Sequence, residues 1–193
     1  MPAVRELVAE MRRLREEEIA LRGKSVNDTA QYRLYAPADD ATITEHEASS
    51  GAQYSPAYRE FLEMSNGWLG FWPDWSLIGV PRAENRDMYA DVSDTLSIIP
   101  DELDASEQAK LIEEEKHDAK RILATNHMIF ATNFNGGLMV FDRNRVDVAG
   151  EPEAVWVGYI YHVERRYPSF AALLEYAIAD TRKEIARLRQ ARG

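Results

Sequence analysis

The segment SPAYREFLEMSNGW, residues 55–68, is the most informative part of the sequence, because it contains the start and the end signals of a helix together with its buried face. Ser55 and Pro56 are residue types that open helices, the serine as N-cap and the proline at the first helical position. Asn66 and Gly67 accept the left-handed backbone that a chain needs to leave a helix. The residues expected to face inward are Tyr58, Phe61, Leu62 and Met64.

Three further helices are predicted around this segment. Apolar residues at three- and four-residue spacing predict a first helix from Val4 to Leu21 and a last helix that opens at Ser169. A short helix from Thr42 ends near Gly51.

The strands are predicted from short apolar runs bounded by turn residues. Asn133 to Gly137 is the strongest hairpin signal, because Asn-Gly accepts positive φ. Residues 82–100 are expected to be irregular, with a short strand at 96–99, and the acidic stretch 101–120 is expected to form a surface helix. The predicted strands are 32–35, 75–80, 128–132, 138–141 and 154–162.

This order of elements predicts an α+β fold, because the regular βαβ alternation of a parallel sheet is missing. We expect an antiparallel or mixed central sheet of about four to six strands, with helices packed on it and the N- and C-terminal helices flanking it. A chain of 193 residues is expected to form a single domain, 1–193, with an N-terminal helical extension over 1–24. The charged first helix could pack on its own sheet or pair with a second copy, so the oligomeric state is not predicted.

Composition narrows the class of protein. Hydrophobic residues make up 45% of the chain and charged residues 29%, as in an ordinary soluble protein. The chain has no cysteine, and neither a signal peptide nor a membrane span is evident, so a cytoplasmic protein without membrane contact is expected. A net charge of −10 repels a nucleic-acid backbone, which argues against nucleic acid as a partner.

Most of the net negative charge is accounted for by one segment. Residues 84–118 contain twelve acidic and three basic residues, a local charge of −9. Such a run is usually a solvated face that aids solubility, but it can also attract a basic protein. The candidate partner-binding acids are Asp87, Asp91, Asp94, Asp101, Glu102 and Asp104.

The residues that would carry chemistry do not form a recognised motif. No two of the four histidines have the short helical spacing of a zinc site, and Gly136–Gly137 lies between strands, where a phosphate loop is not expected. We therefore predict no catalytic residue, no metal and no cofactor. A small-molecule enzyme is the weakest alternative, and it would need a pocket with converging polar groups near His127 or His162.

An aromatic cluster follows the helix predicted to end at Asn66 and consists of Trp68, Phe71, Trp72 and Trp75. Gly70, Pro73 and Asp74 interrupt its bulky side chains. Such residues either fill the core or anchor an interface, and core packing is favoured for any one of them. The candidates from this cluster for partner binding are Trp68, Phe71, Trp72 and Asp74.

The segment 55–68 resembles the signature of the SUKH superfamily, in which a proline and a tyrosine lead a short helix that ends in Phe-Leu and then Asn-Gly. Ile43 and Glu47 resemble the first family helix, and the hairpin from Ile129 to Asp142 is similar to its central strand pair. The closing segment from Pro168 to Leu174 is similar to its last helix. The resemblance covers about residues 43–178.

The resemblance implies a function through protein binding. Many bacterial members are immunity proteins that neutralise a cognate toxin, often a nuclease or another effector that acts on nucleic acid, and no catalytic residues come with the family. A basic toxin would complement the acidic segment. The alternative that the resemblance leaves open is a regulatory or scaffold protein with several protein partners, as in the family's eukaryotic branch.

Overall fold

The computed structural model describes residues 3–25, 32–51, 53–98, 128–158 and 162–192. Five α-helices, one 3-10 turn and seven strands lie in these ranges. The helices are α1 (Val4–Leu21), α2 (Asp40–Ser50), α3 (Pro56–Leu62), α4 (Arg86–Ile98) and α5 (Phe170–Arg192), and the 3-10 turn is Ala83–Asn85. The strands are β1 (Arg33–Leu34), β2 (Gly67–Trp72), β3 (Trp75–Ile78), β4 (Ile129–Thr132), β5 (Leu138–Val146), β6 (Pro152–Val157) and β7 (Val163–Tyr167).

The seven strands form one antiparallel sheet in the order β1 to β7, so every strand pairs with its neighbours in sequence. This arrangement confirms the α+β prediction. The predicted count of four to six strands was too low. The strand predicted for 154–162 corresponds to β6, which ends at Val157. The next strand, β7, begins at Val163 and was missed because its sequence VERRY lacks an apolar alternation.

Helices cover both faces of the sheet. On one face, α1, α3 and α5 share a hydrophobic core with β2 to β6. On the other face, Val92 and Leu96 of α4 pack against a smaller cluster. The buried members of that cluster are Leu138, Val140, Val155 and Val157.

Helix α4 corrects the prediction of irregular structure for residues 82–100. Met88 is 1% exposed and Thr95 is 7% exposed, and with Val92 they recur at three- and four-residue spacing on the face toward the sheet. The predicted strand at 96–99 is therefore wrong, since residues 96–98 continue the helix. The surface helix predicted for 101–120 lies outside the described residues.

The predicted first helix is confirmed, and it packs within its own chain. Its apolar side chains lie in the main core against α5, α3 and β2. Ion pairs also join α1 and its C-cap residue to α5: Arg182 to Glu10 at 2.5 Å, and the C-cap residue Arg22 to Glu184 at 2.8 Å. The N-terminal extension is thus built into the same core as the rest of the chain.

Tyr58, from the segment 55–68, lies at the centre of that core. Its side chain is fully buried, and its hydroxyl lies 2.6 Å from the carbonyl oxygen of Ile78 and 3.0 Å from that of Phe130. Burial raises the pKa of this phenol well above its ordinary value. The rings packed around it are Phe61, Phe130, Phe141 and Phe170.

Asn66 does not end helix α3, which is the role that the sequence predicts for it. Helix α3 ends at Leu62, four residues before the predicted stop. The fully buried Asn66 side chain instead bonds both backbone groups of Val80: its Nδ2 donates to the carbonyl at 3.0 Å, and its Oδ1 accepts from the N–H at 2.6 Å. Gly79 lies so close that an added Cβ would be 2.0 Å from the Asn66 carbonyl oxygen. Asn66 therefore fixes the end of β3 against the start of β2.

No helix in the described ranges has the length and apolar character that crossing a membrane requires.

Candidate functional site

Two hairpin turns lie side by side at one end of the sheet. The β2–β3 turn and the β4–β5 turn meet there because Ser76, near the start of β3, pairs with Thr132 at the end of β4. Each turn holds a non-glycine residue with left-handed backbone, Asp74 at φ 65° and Phe134 at φ 54°. Within the described ranges these are the non-glycine residues with positive φ, and such conformations concentrate at functional sites.

Buried tryptophans hold the β2–β3 turn. Trp72 pairs with Trp75 across the hairpin, so Pro73 and Asp74 alone form the turn. The indole Nε1 of Trp72 donates to a carboxylate oxygen of Asp180 on α5 at 3.0 Å. Proline fixes φ at the first turn position, and aspartate tolerates the left-handed second position. The result is an exposed Asp74 side chain on a rigid support.

Side-chain hydrogen bonds shape the β4–β5 turn, which confirms the hairpin predicted there. Asn133 Oδ1 accepts from the N–H groups of Asn135 at 2.9 Å and Gly137 at 2.8 Å. Thr132 Oγ1 accepts from the N–H of Phe134 at 3.2 Å. The turn presents the Phe134 side chain to solvent, with 45% of its surface exposed.

A groove of about 550 Å³ runs between these two turns and helix α1, and we call it the turn-end groove. Its size is within the range of ordinary ligand pockets, about 300–1,000 Å³. The groove has charged, polar and apolar walls. It is lined by Arg15, Glu18, Arg22, Leu69, Gly70, Pro73, Asp74, Ser76, Asn133 and Phe134.

The α1 wall is a network of charged groups around the buried Glu18, and it includes Arg22, the C-cap residue of the helix. Glu18 is 1% exposed and accepts hydrogen bonds from Arg15 and from Arg22, the latter at 2.9 and 3.0 Å. Arg15 Nε also donates to the Gly70 carbonyl oxygen at 3.1 Å. This network joins α1 to β2. The buried Glu18 carboxylate is compensated because two guanidinium groups donate hydrogen bonds to it.

The acidic face of helix α4 adjoins the β4–β5 turn. Asp87, Asp91 and Asp94 follow the i, i+4, i+7 spacing of one helical face. Asp87 and Asp94 are exposed, whereas Asp91 is partly buried and accepts a hydrogen bond from Thr132 Oγ1. Asp91 therefore ties α4 to the turn that carries Phe134, and the other two carboxylates are free to face a partner.

The other predicted site residues are either buried in the core or lie outside the described residues. Trp68 and Phe71 are fully buried and Trp72 is 7% exposed, so these three aromatics belong to the core and offer a partner almost no surface. This outcome corrects their assignment as interface residues, and it follows from large aromatic side chains meeting where helix and sheet pack. Asp101, Glu102 and Asp104 lie outside the described residues.

Sequence reasoning missed Phe134 and the α1 wall. A signal for Phe134 was present, since an apolar aromatic stands between two asparagines in a turn where polar residues are usual. Arg15 and Glu18 are spaced i, i+3, and Glu18 and Arg22 are spaced i, i+4, as in helical ion pairs. In the sequence this pattern cannot be distinguished from an ordinary charged helix face, because the contact with the sheet is not visible there.

The remaining titratable groups do not form a second site in the described ranges. Asp142 is fully buried and paired with Arg166 at 3.0 Å, and no group of three His, Cys, Asp or Glu side chains there could hold a metal ion. His162 is exposed, and His127 lies outside the described residues. Burial lowers the pKa of His46, whose Nδ1 lies 2.9 Å from the Tyr54 hydroxyl.

Comparison with known protein families identifies the family of this sequence. The sequence model of the SMI1 / KNR4 family (SUKH-1) matches residues 37–176, which is more than two thirds of the chain. No curated protein matches the sequence. The matched range contains both turns of the groove, whereas α1 and the last part of α5 lie outside it.

Proposed function

Because this chain belongs to the SMI1 / KNR4 family (SUKH-1), which includes toxin-immunity proteins, we propose that it neutralises a cognate bacterial toxin by binding directly to it. The toxin is a nuclease or another effector that acts on nucleic acid, and its surface is basic. The binding surface comprises the turn-end groove and the acidic face of α4.

The exposed Phe134 is the observation that carries this proposal. Left-handed backbone costs an L-residue about 1–2 kcal/mol, and 45% of this apolar side chain faces water. Folding alone would favour glycine or asparagine at such a position. Exposed aromatic residues held on a rigid turn are typical anchors of protein interfaces.

The charge distribution supports a basic partner. The chain has a net charge of −10, and the exposed Asp87 and Asp94 carboxylates lie on the α4 face next to the turn that carries Phe134. A toxin that acts on nucleic acid needs a basic surface, and opposite potentials raise the rate of encounter.

We propose further that the chain acts without catalysis. Glu18, the buried carboxylate of the groove, is engaged by two guanidinium groups, and Arg15 is engaged by Glu18 and by the Gly70 carbonyl. A general acid or base needs a titratable group that is free to exchange a proton with substrate. Arg15, Glu18 and Arg22 are therefore suited to holding the shape of the groove, and we assign the exposed carboxylate of Asp74 to partner binding.

Titration calorimetry against the purified product of the gene immediately upstream tests the proposal. We expect Phe134→Ala to weaken binding by about 2 kcal/mol, roughly thirtyfold, as for an interface anchor. The matched control is Val148→Ala, which removes another exposed apolar side chain at the opposite end of the sheet and is expected to leave binding unchanged. Equal affinity for the Phe134→Ala variant and the native chain would contradict this surface.

Charge reversal tests the α4 face separately. The double variant Asp87→Lys, Asp94→Lys is expected to slow association about tenfold at low salt and to flatten the dependence on ionic strength. The control is Glu45→Lys, Glu175→Lys, which makes the same change in net charge at exposed sites on α2 and α5. If both double variants slow association equally, net charge and not the α4 face explains the attraction.

A further inference from the structure

Among the described residues, one charged side chain of the turn-end groove has no protein partner. Four charged residues line it: Arg15, Glu18, Arg22 and Asp74. The first three are bonded to one another through Glu18. Asp74 is exposed and makes no hydrogen bond or ion pair with any residue that the structure describes. The carboxylate of Asp74 is thus the charge in the groove that is free to bind a ligand.

The arginines of the groove do not favour an anionic ligand. Arg15 is already bonded to Glu18 and to the Gly70 carbonyl, and its side chain is only 11% exposed. Arg22 is bonded to Glu18 and to Glu184, which Arg187 also contacts. An anion at Arg15 would have to displace the almost fully buried carboxylate of Glu18, and an anion at the more exposed Arg22 would compete with Glu18 and Glu184. The free carboxylate therefore decides the sign of the ligand, which is positive.

The apolar walls restrict the ligand further. The Phe134 ring and Pro73 border the same groove as Asp74. A guanidinium group is planar, so it can stack on an aromatic ring while two of its N–H groups bond a carboxylate. Its aliphatic stem can lie along apolar side chains. An ammonium group makes only a point contact and is more strongly hydrated, so it fits this combination less well.

We propose that the turn-end groove binds an arginine side chain projecting from the partner protein, with its guanidinium between the Asp74 carboxylate and the Phe134 ring. This inference rests on the proposed function and names the chemistry of the partner at the groove. Asp74 and Phe134, which would hold the guanidinium, lie within the range that matches the family, whereas Arg15, Glu18 and Arg22, which form another wall of the groove, precede that range.

Nuclear magnetic resonance titration tests the arginine site without the toxin. The probe is N-acetyl-arginine amide, and its neutral isostere N-acetyl-citrulline amide is the matched control. We expect the arginine probe to shift the backbone amides of Asp74 and Phe134 and the side-chain amide of Asn133, and the citrulline probe to leave them in place. Equal shifts with both probes, or none at these three groups, would overturn the proposal. Larger shifts with acetate than with arginine would overturn it in favour of an anion site.

Two conservative variants separate the contacts. Asp74→Asn keeps a residue that tolerates left-handed backbone and is expected to weaken arginine binding up to about fivefold, as for an exposed ion pair. Phe134→Leu keeps apolar volume without the π face and is expected to weaken it about two- to fivefold. The control is Glu45→Gln, which removes an exposed carboxylate from α2 and is expected to have no effect.

The two proposals fail in different ways. Binding of the arginine probe without binding of the upstream gene product would remove the immunity role and leave the arginine site intact. Tight binding of that protein, unaffected by Asp74→Asn and by Phe134→Leu, would remove the arginine site and leave the immunity role.

Discussion

Glu18→Ala is expected to be one of the most destabilising substitutions on helix α1. The Glu18 carboxylate is 1% exposed, and its loss leaves the Arg15 guanidinium, itself 11% exposed, without its charged partner. Removing one member of a buried pair costs about 3–5 kcal/mol, because the remaining charge stays buried. Arg22 also loses two hydrogen bonds, but at 43% exposure water replaces them at little cost. We expect a loss of about 4 kcal/mol.

Urea unfolding followed by the fluorescence of the four tryptophans measures this loss. With a slope of about 2 kcal/mol per molar urea, a loss of about 4 kcal/mol lowers the midpoint by about 2 M. Glu17→Ala is the matched control, since it removes a carboxylate from the same helix that pairs with Arg13 and Arg189 at the surface. That control is expected to cost at most about 1 kcal/mol. Equal midpoints for the two variants would refute the buried network.

Three further predictions concern the fold. Asn66→Ala leaves the buried Val80 N–H without an acceptor and is expected to cost about 2 kcal/mol; an unchanged midpoint in a thermal scan would contradict the bridge. Gly79→Ala places a Cβ 2.0 Å from the backbone oxygen of Asn66, so the melting temperature of this variant is expected to lie below that of Asn66→Ala. The reverse order would show that the backbone shifts to relieve the clash. Burial lowers the pKa of His46, so the unfolded chain binds more protons near pH 6.5 and stability falls as the pH decreases through that value. We expect His46→Gln to flatten this dependence, and a titration of the His46 ring at or above pH 6.5 would refute it.

The sequence predicted the elements whose local signals agree with their tertiary environment. Helices α1 and α5 and the β4–β5 hairpin were found because their apolar spacing and turn residues match their final positions. Helix α4 was missed because it buries few side chains, and its acidic residues look like those of a solvated loop. The charged strand β7 was missed because it is an edge strand with three charged residues in five.

The candidate site could be predicted only in part. Asp74 and the α4 acids were identified by their residue type, but the groove that adjoins them depends on contacts far apart in sequence. Arg15 meets Gly70 across fifty-five residues, and Asp91 meets Thr132 across forty-one. The tryptophans were ambiguous because aromatic side chains are frequent both in cores and at interfaces, and only the packing shows that Trp68 faces inward.

The most direct test of the account is a hydrogen–deuterium exchange map of the chain, alone and with the purified product of the upstream gene. If the chain binds that protein through the turn-end groove and the acidic face of α4, peptides covering residues 69–76, 86–94 and 132–137 will gain protection. Protection confined to other surfaces, or no change anywhere in the chain, would contradict the proposed binding surface.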